Sequence, residues 1–453
     1  MSRSHLTASS ANSTCHVLSR GGVFSRAAKA LGLVTALVTT GCRGAGWNVA
    51  PEFIAPPHRV ALALGDSSTD AGAFDSTKLP AFDPPTHVRP CCAFGMDLET
   101  TFQGAKVPGY RMENVTSLDS LGHHEYDNGA IALRPNERMV DLEKNGILYT
   151  CRGGFVDTAH VRDNSDMMLY VGYKIAALLP SGGAIEIPGD GAMRRIVVKA
   201  ISSEEMAERG RFATAAVLAQ WAVYQISIWH EMATWYGYES VPGFSEKVST
   251  FSVEDLYSNT LGIKVGAALV EGSTLRSRDE YNHTVDAWIT GVLQHLNVVP
   301  KEGARLAMRT VEGRWWDSTK ILPDSKVVKR RNTAITPPLL GWRVEDAVGA
   351  SGVPSELAAM CQKAGPPLAL TIPDKLGALS IADLVRVEIQ PEKWAVEAKF
   401  PFPKAPYPTF TSADYPSIVE AIRADLLKEL GEGFDRPGPA QSTSGGQSVS
   451  SAP

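Results

Sequence analysis

The chain has 453 residues, 44% of them apolar, with 44 Lys and Arg against 49 Asp and Glu. That is enough apolar content to bury a large core, and the acidic balance argues against nucleic acid or an anionic membrane face as partner of the whole domain. Residues 1–41 hold four basic side chains (Arg3, Arg20, Arg26, Lys29) and no acid, so their removal takes the formal charge from -5 to -9.

Residues 1–41 read as a signal peptide. A basic region ends at Lys29, and "ALGLVTALVTTGC" follows as an apolar run of about a dozen residues, a signal-sequence length too short for a permanent membrane span. Its end, Thr39-Thr40-Gly41-Cys42, resembles a bacterial lipobox, with Thr39 where leucine is usual. The resemblance implies lipidation of Cys42 and, with Arg43 rather than aspartate next, an outer-membrane lipoprotein facing the periplasm. The membrane, reached through that lipid anchor, is then the expected partner; ordinary cleavage to a soluble periplasmic or secreted protein is the alternative.

Residues 42–58 are a Pro-rich linker, 59–432 a single globular domain, and 433–453 a tail too poor in apolar groups to order. From 59 to about 150, short apolar pieces among Pro, Gly, Asp and Asn predict an irregular N-terminal wrap. Four cysteines of this region, Cys91, Cys92, Cys151 and Cys361, are disulfide candidates once the chain is exported. Vicinal Cys91 and Cys92 do not bond readily to each other, so at least one of them is expected to reach Cys151 or Cys361.

Helices are predicted over 156–179, about 203–238, from Ser252, over 276–297 and 300–311, and over 413–431. "AIEIPGDGAMRRIVVKA" (184–200) predicts a β-hairpin about Gly-Asp-Gly, and 380–402 alternates as strands do. The fold class is therefore α+β, predominantly helical, with short β-hairpins.

"WHEMATWYGYES" (229–240) begins like a zinc-peptidase helix, but Thr234 stands where His-Glu-x-x-His needs its second histidine. No formal charge lies between Arg211 and Glu231, so this helix is buried on most faces. Gln220, Ser227, Glu231 and Thr234 form one polar stripe with His230 at its edge. A buried carboxylate must find a partner or go neutral, which makes Glu231 the most informative residue. Asp157 and His160 in "CRGGFVDTAHVRDNSD" are the best source of further ligands. The expected centre holds zinc or another divalent metal on His160, His230 and Asp157, with Glu231 taking a proton from water. The competing account is structural: Asp157 caps a helix, His160 is a core histidine and Glu231 pairs with Arg162. Loop residues His123 and His124 are spare ligands.

"RVALALGDSSTDAGAF" (59–74) resembles the first block of GDSL-type serine esterases, which implies a strand followed by nucleophile Ser67, with Asp157 and His160 as the distant pair. The intervening strand-helix units of those enzymes have no match here.

Taken together, "VRPCCAFG" (88–95), "PGYRMENV" (108–115), "YTCRGGFVDTAHVRD" (149–163), "HEMATWYGYES" (230–240) and "FSVEDLYSNTLG" (251–262) are similar to the bacterial envelope family named domain of unknown function 4056, over roughly 85–400. The resemblance implies an exported, lipoprotein-like chain and carries no catalytic assignment. The expected function is a lipid-anchored envelope protein with a metal-dependent hydrolase centre; a non-catalytic partner-binding lipoprotein is the alternative.

Overall fold

The computed structural model describes residues 55–65, 81–102, 105–129, 143–206, 209–240, 243, 245–272, 275, 277–392 and 409–437. Residues 1–41, Cys42, Ser67 and everything after 437 lie outside them. The first element, α1 (Pro57–Ala63), is a helix where the esterase resemblance implies a strand. Proline at its first position suits a helix start, because that N–H would lack an intrahelical partner anyway.

An irregular segment, 81–97, leads into the hairpin of β1 (Leu98–Phe102) and β2 (Ala105–Met112). A second hairpin, β3 (Ile147–Thr150) with β4 (Gly154–Asp157), feeds straight into α2 (Thr158–Leu178). Its turn needs glycine: Gly154 has φ +68°, and a Cβ there would lie 2.1 Å from the Trp342 carbonyl oxygen. The predicted third hairpin is present as β5 (Gly183–Gly189) and β6 (Ala192–Val198), closed by Asp190 and Gly191 at φ 50° and 64°. Two positive φ values are what a tight hairpin turn of matching twist requires.

The central helices follow: α3 (Arg211–Trp235), α4 (Asp255–Gly272), α5 (Arg278–His295) and α6 (Lys301–Thr310). The predicted helix from 203 is interrupted, because Gly210 adopts φ +80° and restarts the chain at Arg211. Late in the chain, β7 (Val385–Pro391) and β8 (Phe410–Thr411) complete an antiparallel sheet of order β8-β7-β6-β5, and α7 (Tyr415–Leu430) closes the unit. The fold is α+β and predominantly helical, as predicted. Packing continues past the expected end of the domain: Phe434 is buried, and the Pro437 carbonyl accepts from Trp315 Nε1 at 2.7 Å.

Helices α2, α3 and α4 pack together as the main core. The α2–α4 approach is close enough that a Cβ on Gly262 would meet the Val161 carbonyl oxygen at 2.3 Å. In that seam Asn164 donates to Asn259 and Ser165 donates to the Gly262 carbonyl. On the other side, α3 is apolar almost all round, and no described helix is long and apolar enough to cross a membrane.

A second apolar cluster joins β1, β3, β4 and α6 around Trp315, Trp316 and Trp342. There the expected cysteine pairing is corrected: Cys151 bonds Cys361, with Cα atoms 5.3 Å apart, while Cys91 and Cys92 are free. The β3–β4 turn faces Cys151 toward the short helix Ser355–Cys361. Segment 81–97 instead lays Cys91 and Cys92 against α2 and α3.

The polar stripe of α3 finds partners on α4. Lys264 Nζ donates to Gln220 Oε1 at 2.8 Å, and burial pulls its ammonium group down to about 8. The folded state thus holds this proton less tightly than the unfolded chain, at a cost fully felt below about pH 8 and lost above about pH 10.4. Lys264→Met should therefore raise stability at about pH 7 by about 2 kcal/mol, after allowing for the hydrogen bond lost at Gln220. Urea midpoints should converge as pH rises past about 10; a gain independent of pH would contradict this origin.

Candidate metal centre

The site lies where the first turn of α2, the last turns of α3 and the start of α4 meet. His160 sits one turn into α2 and Glu231 one turn from the end of α3. Asp255 opens α4. One ligand atom from each lies within 4.8 Å of the others, and all three residues are buried.

Glu231 is held through both oxygens and Asp255 through one. Glu231 Oε2 accepts from the Phe251 N–H at 2.9 Å and Oε1 from Asn259 Nδ2 at 3.3 Å. Asp255 Oδ2 accepts from the Ser252 N–H at 2.6 Å. This is half of a capping box, since the Ser252 hydroxyl donates instead to Glu254 Oε2 at 2.8 Å.

What remains is unpaired. His160 Nε2, Asp255 Oδ1 and Glu254 Oε1 are buried with no hydrogen-bond partner. His160 Nε2 and Asp255 Oδ1 are 3.4 Å apart. Two ligands about 2.0–2.1 Å from one zinc ion at a tetrahedral angle are separated by about 3.4 Å.

Electrostatics also call for a cation. Burial, then the neighbouring Glu231, Glu254 and Asp157, push the Asp255 carboxyl well above its ordinary range. Glu254 rises to about 8, through burial and then Asp157, and burial raises Asp157 too. Arg331 faces this group, its two terminal nitrogens donating to the carbonyls of Val248, Thr250 and Ser325 and its Nε left without a hydrogen bond.

Of the four residues expected to form the centre, the structure brings together His160 and Glu231 and sets His230 and Asp157 apart from them. Asp157 caps α2, accepting from the Ala159 N–H at 2.8 Å, and its other oxygen accepts from the Cys92 N–H at 3.1 Å. His230 lies beside His160, ring centroids 6.1 Å apart, with its Nδ1 3.3 Å from Asp190 Oδ1 and its Nε2 3.4 Å from Cys91 Sγ. Burial works against the His230 imidazolium, but Asp190 outweighs it and lifts the group to about 9. Asp190 is held down to about 2 against burial by Arg194 and His230.

Glu231 is not paired to Arg162, whose guanidinium goes to Asn145, the Gly122 carbonyl and Glu143. Thr234 is buried on α3, its hydroxyl without a partner. His124 Nε2 bonds Asp166 at 2.8 Å and His123 Nδ1 bonds Asp286 at 3.1 Å, so neither reaches the centre. The carboxylate that sequence reading missed is Asp255; the vicinal Glu254-Asp255 in an otherwise uncharged stretch, 248–263, was the available signal.

No curated protein and no solved structure matches this chain. Residues 79–340, more than half of its length and every group of the centre, match one family, so the chain belongs to the family described as "Protein of unknown function (DUF4056)".

Proposed function

We propose that this protein is an exported, lipid-anchored metalloprotein of the bacterial envelope, whose centre on His160, Glu231 and Asp255 activates water for hydrolysis. The observation that carries the reading is the pair of unsatisfied buried atoms, His160 Nε2 and Asp255 Oδ1, 3.4 Å apart beside the fixed Glu231 carboxylate. Burying those two atoms without a hydrogen bond costs several kcal/mol, and a divalent cation held by them and by Glu231 would remove that cost.

Three protein ligands with a position left for water is the pattern of catalytic rather than structural zinc. With a metal bound, Glu231 would be a ligand, and Glu254, next to Asp255 with a free Oε1, would be the residue to take a proton from water. The export reading rests on residues 1–42 and gains support from the Cys151–Cys361 bond, which suits an oxidising compartment.

The protein purified without chelator should carry bound divalent metal by elemental analysis. His160→Ala should release it and leave the circular dichroism spectrum unchanged. Protein that refuses zinc, manganese and iron alike after chelation and reloading would leave the envelope reading intact and remove the enzyme reading.

A further inference from the structure

The three-residue centre leaves a neighbouring constellation unused. Cys91, His230 and Asp190 form a connected line: Sγ to Nε2 is 3.4 Å, and Nδ1 to the Asp190 carboxylate is 3.3 Å. Asp190 is itself fixed by Arg194, a buried pair at the β5–β6 turn. A carboxylate on the far nitrogen of an imidazole fixes the ring and leaves the near nitrogen free as a ligand, the usual outer support of a metal-bound histidine.

The S···N distance fits the same use. A thiolate about 2.3 Å and an imidazole nitrogen about 2.0–2.1 Å from a shared zinc ion lie about 3.5 Å apart at a tetrahedral angle. Here the two atoms are already at 3.4 Å. Cys91 keeps partial solvent exposure, so this arm lies on the accessible side of His160, Glu231 and Asp255.

A plain thiol nucleophile fits the surroundings less well. Glu246, Glu231, Asp255 and Asp157 all bear on Cys91, and their negative charge disfavours a bare thiolate and favours one bound to a cation. Cys92, one residue on, faces Asp157 rather than His230 and takes no part in the arm.

We infer that Cys91 and His230 form a second metal position beside the first, oriented by Asp190, which takes a soft or borderline divalent ion such as zinc. On binding, the Cys91 S–H and the His230 Nε2–H each give a proton to solvent as the sulfur–metal and nitrogen–metal bonds form, and the positions not filled by protein hold water or substrate. This inference deepens the proposed metal centre and rests on that reading for its neighbour. A thiolate with an imidazole selects zinc over magnesium or calcium, which prefer oxygen.

The test is titration of the metal-free full chain with Co2+ and Zn2+. The wild type should take two equivalents and show a thiolate-to-cobalt charge-transfer absorption. Cys91→Ser should remove that absorption and one equivalent, whereas Cys92→Ser should keep both. Asp190→Asn should weaken the second equivalent by about 10- to 100-fold, the usual effect of removing an outer-sphere partner; His160→Ala should keep the thiolate absorption while losing the other equivalent.

A single equivalent lost in His160→Ala, with no thiolate absorption in any variant, would overturn the second position and leave the proposed centre standing. A thiolate absorption that survives in Cys91→Ser and disappears in Cys92→Ser would also overturn it. A single equivalent that gives the absorption and is lost only in Cys91→Ser would sustain this position and sink the first.

Discussion

Replacing Arg89 with methionine should destabilise the protein by about 3–5 kcal/mol, because it strands buried carboxylates whose partner is gone. Arg89 is 2% exposed and its guanidinium serves three acids. It clasps Glu143 through two nitrogens, bonds Asp163 Oδ1 at 2.7 Å and bonds Asp166 Oδ2 at 3.0 Å. Asp166 also takes His124 and the Tyr281 hydroxyl, so the network ties segment 81–97 to α2 and α5. Arg89→Lys keeps the charge and loses the fork, and should cost less than methionine but more than a surface change. Guanidinium denaturation read by tryptophan fluorescence gives both numbers. An unchanged midpoint for the methionine variant would mean that these acids are protonated in the wild type. Since Cys91 is two residues on, loss of Arg89 should also loosen the thiol arm of the centre.

Much of this architecture was legible in the sequence, and the exceptions have physical reasons. The uncharged run from Phe212 to His230 reads as a core helix, and it is one. The Gly-Asp-Gly turn fixed a hairpin, yet nothing in its spacing said that Asp190 would turn inward onto His230; that depends on how the sheet stacks on α3. Glu231 stood out because a lone carboxylate in an apolar helix demands a partner. The identity of the partner did not, since Asp255 comes from a helix start that meets α3 only through tertiary packing. Asp157 was open to two readings, ligand or helix cap, and a carboxylate directly before a helix has a local use as its cap, which is the one observed. The cysteine pairing failed because spacing carries no information about which turn faces which helix.

The sharpest separation between a structural network and a metal centre comes from Asp255→Asn. In a structural network, removing a carboxylate costs stability. In a site built for a cation, the metal-free protein is strained by its own charges, so removing one should help. Asp255 has one oxygen on the Ser252 N–H and the other without a hydrogen bond 3.4 Å from His160 Nε2, with Glu231, Glu254 and Asp157 as negative neighbours. Its raised carboxyl means that the folded chain binds this proton more tightly than the unfolded one. Wild-type protein in chelator should therefore lose stability as pH climbs above the ordinary carboxylate range of about 4. The substituted side chain offers a neutral amide in the same shape, which cannot titrate and can donate toward Glu231. In chelator at about pH 7.5 the variant should melt a few degrees above the wild type, a shift corresponding to about 1–2 kcal/mol. Added zinc should then raise the melting temperature of the wild type past it, by the linkage of ligand to the folded state, and leave the variant nearly unmoved. Crossing of the two melting temperatures on addition of metal is the expected result, because only a site whose residues trade stability for binding produces it. A variant that melts below the wild type in chelator, and gains as much from zinc, would mean that Asp255 holds the start of α4 and binds nothing.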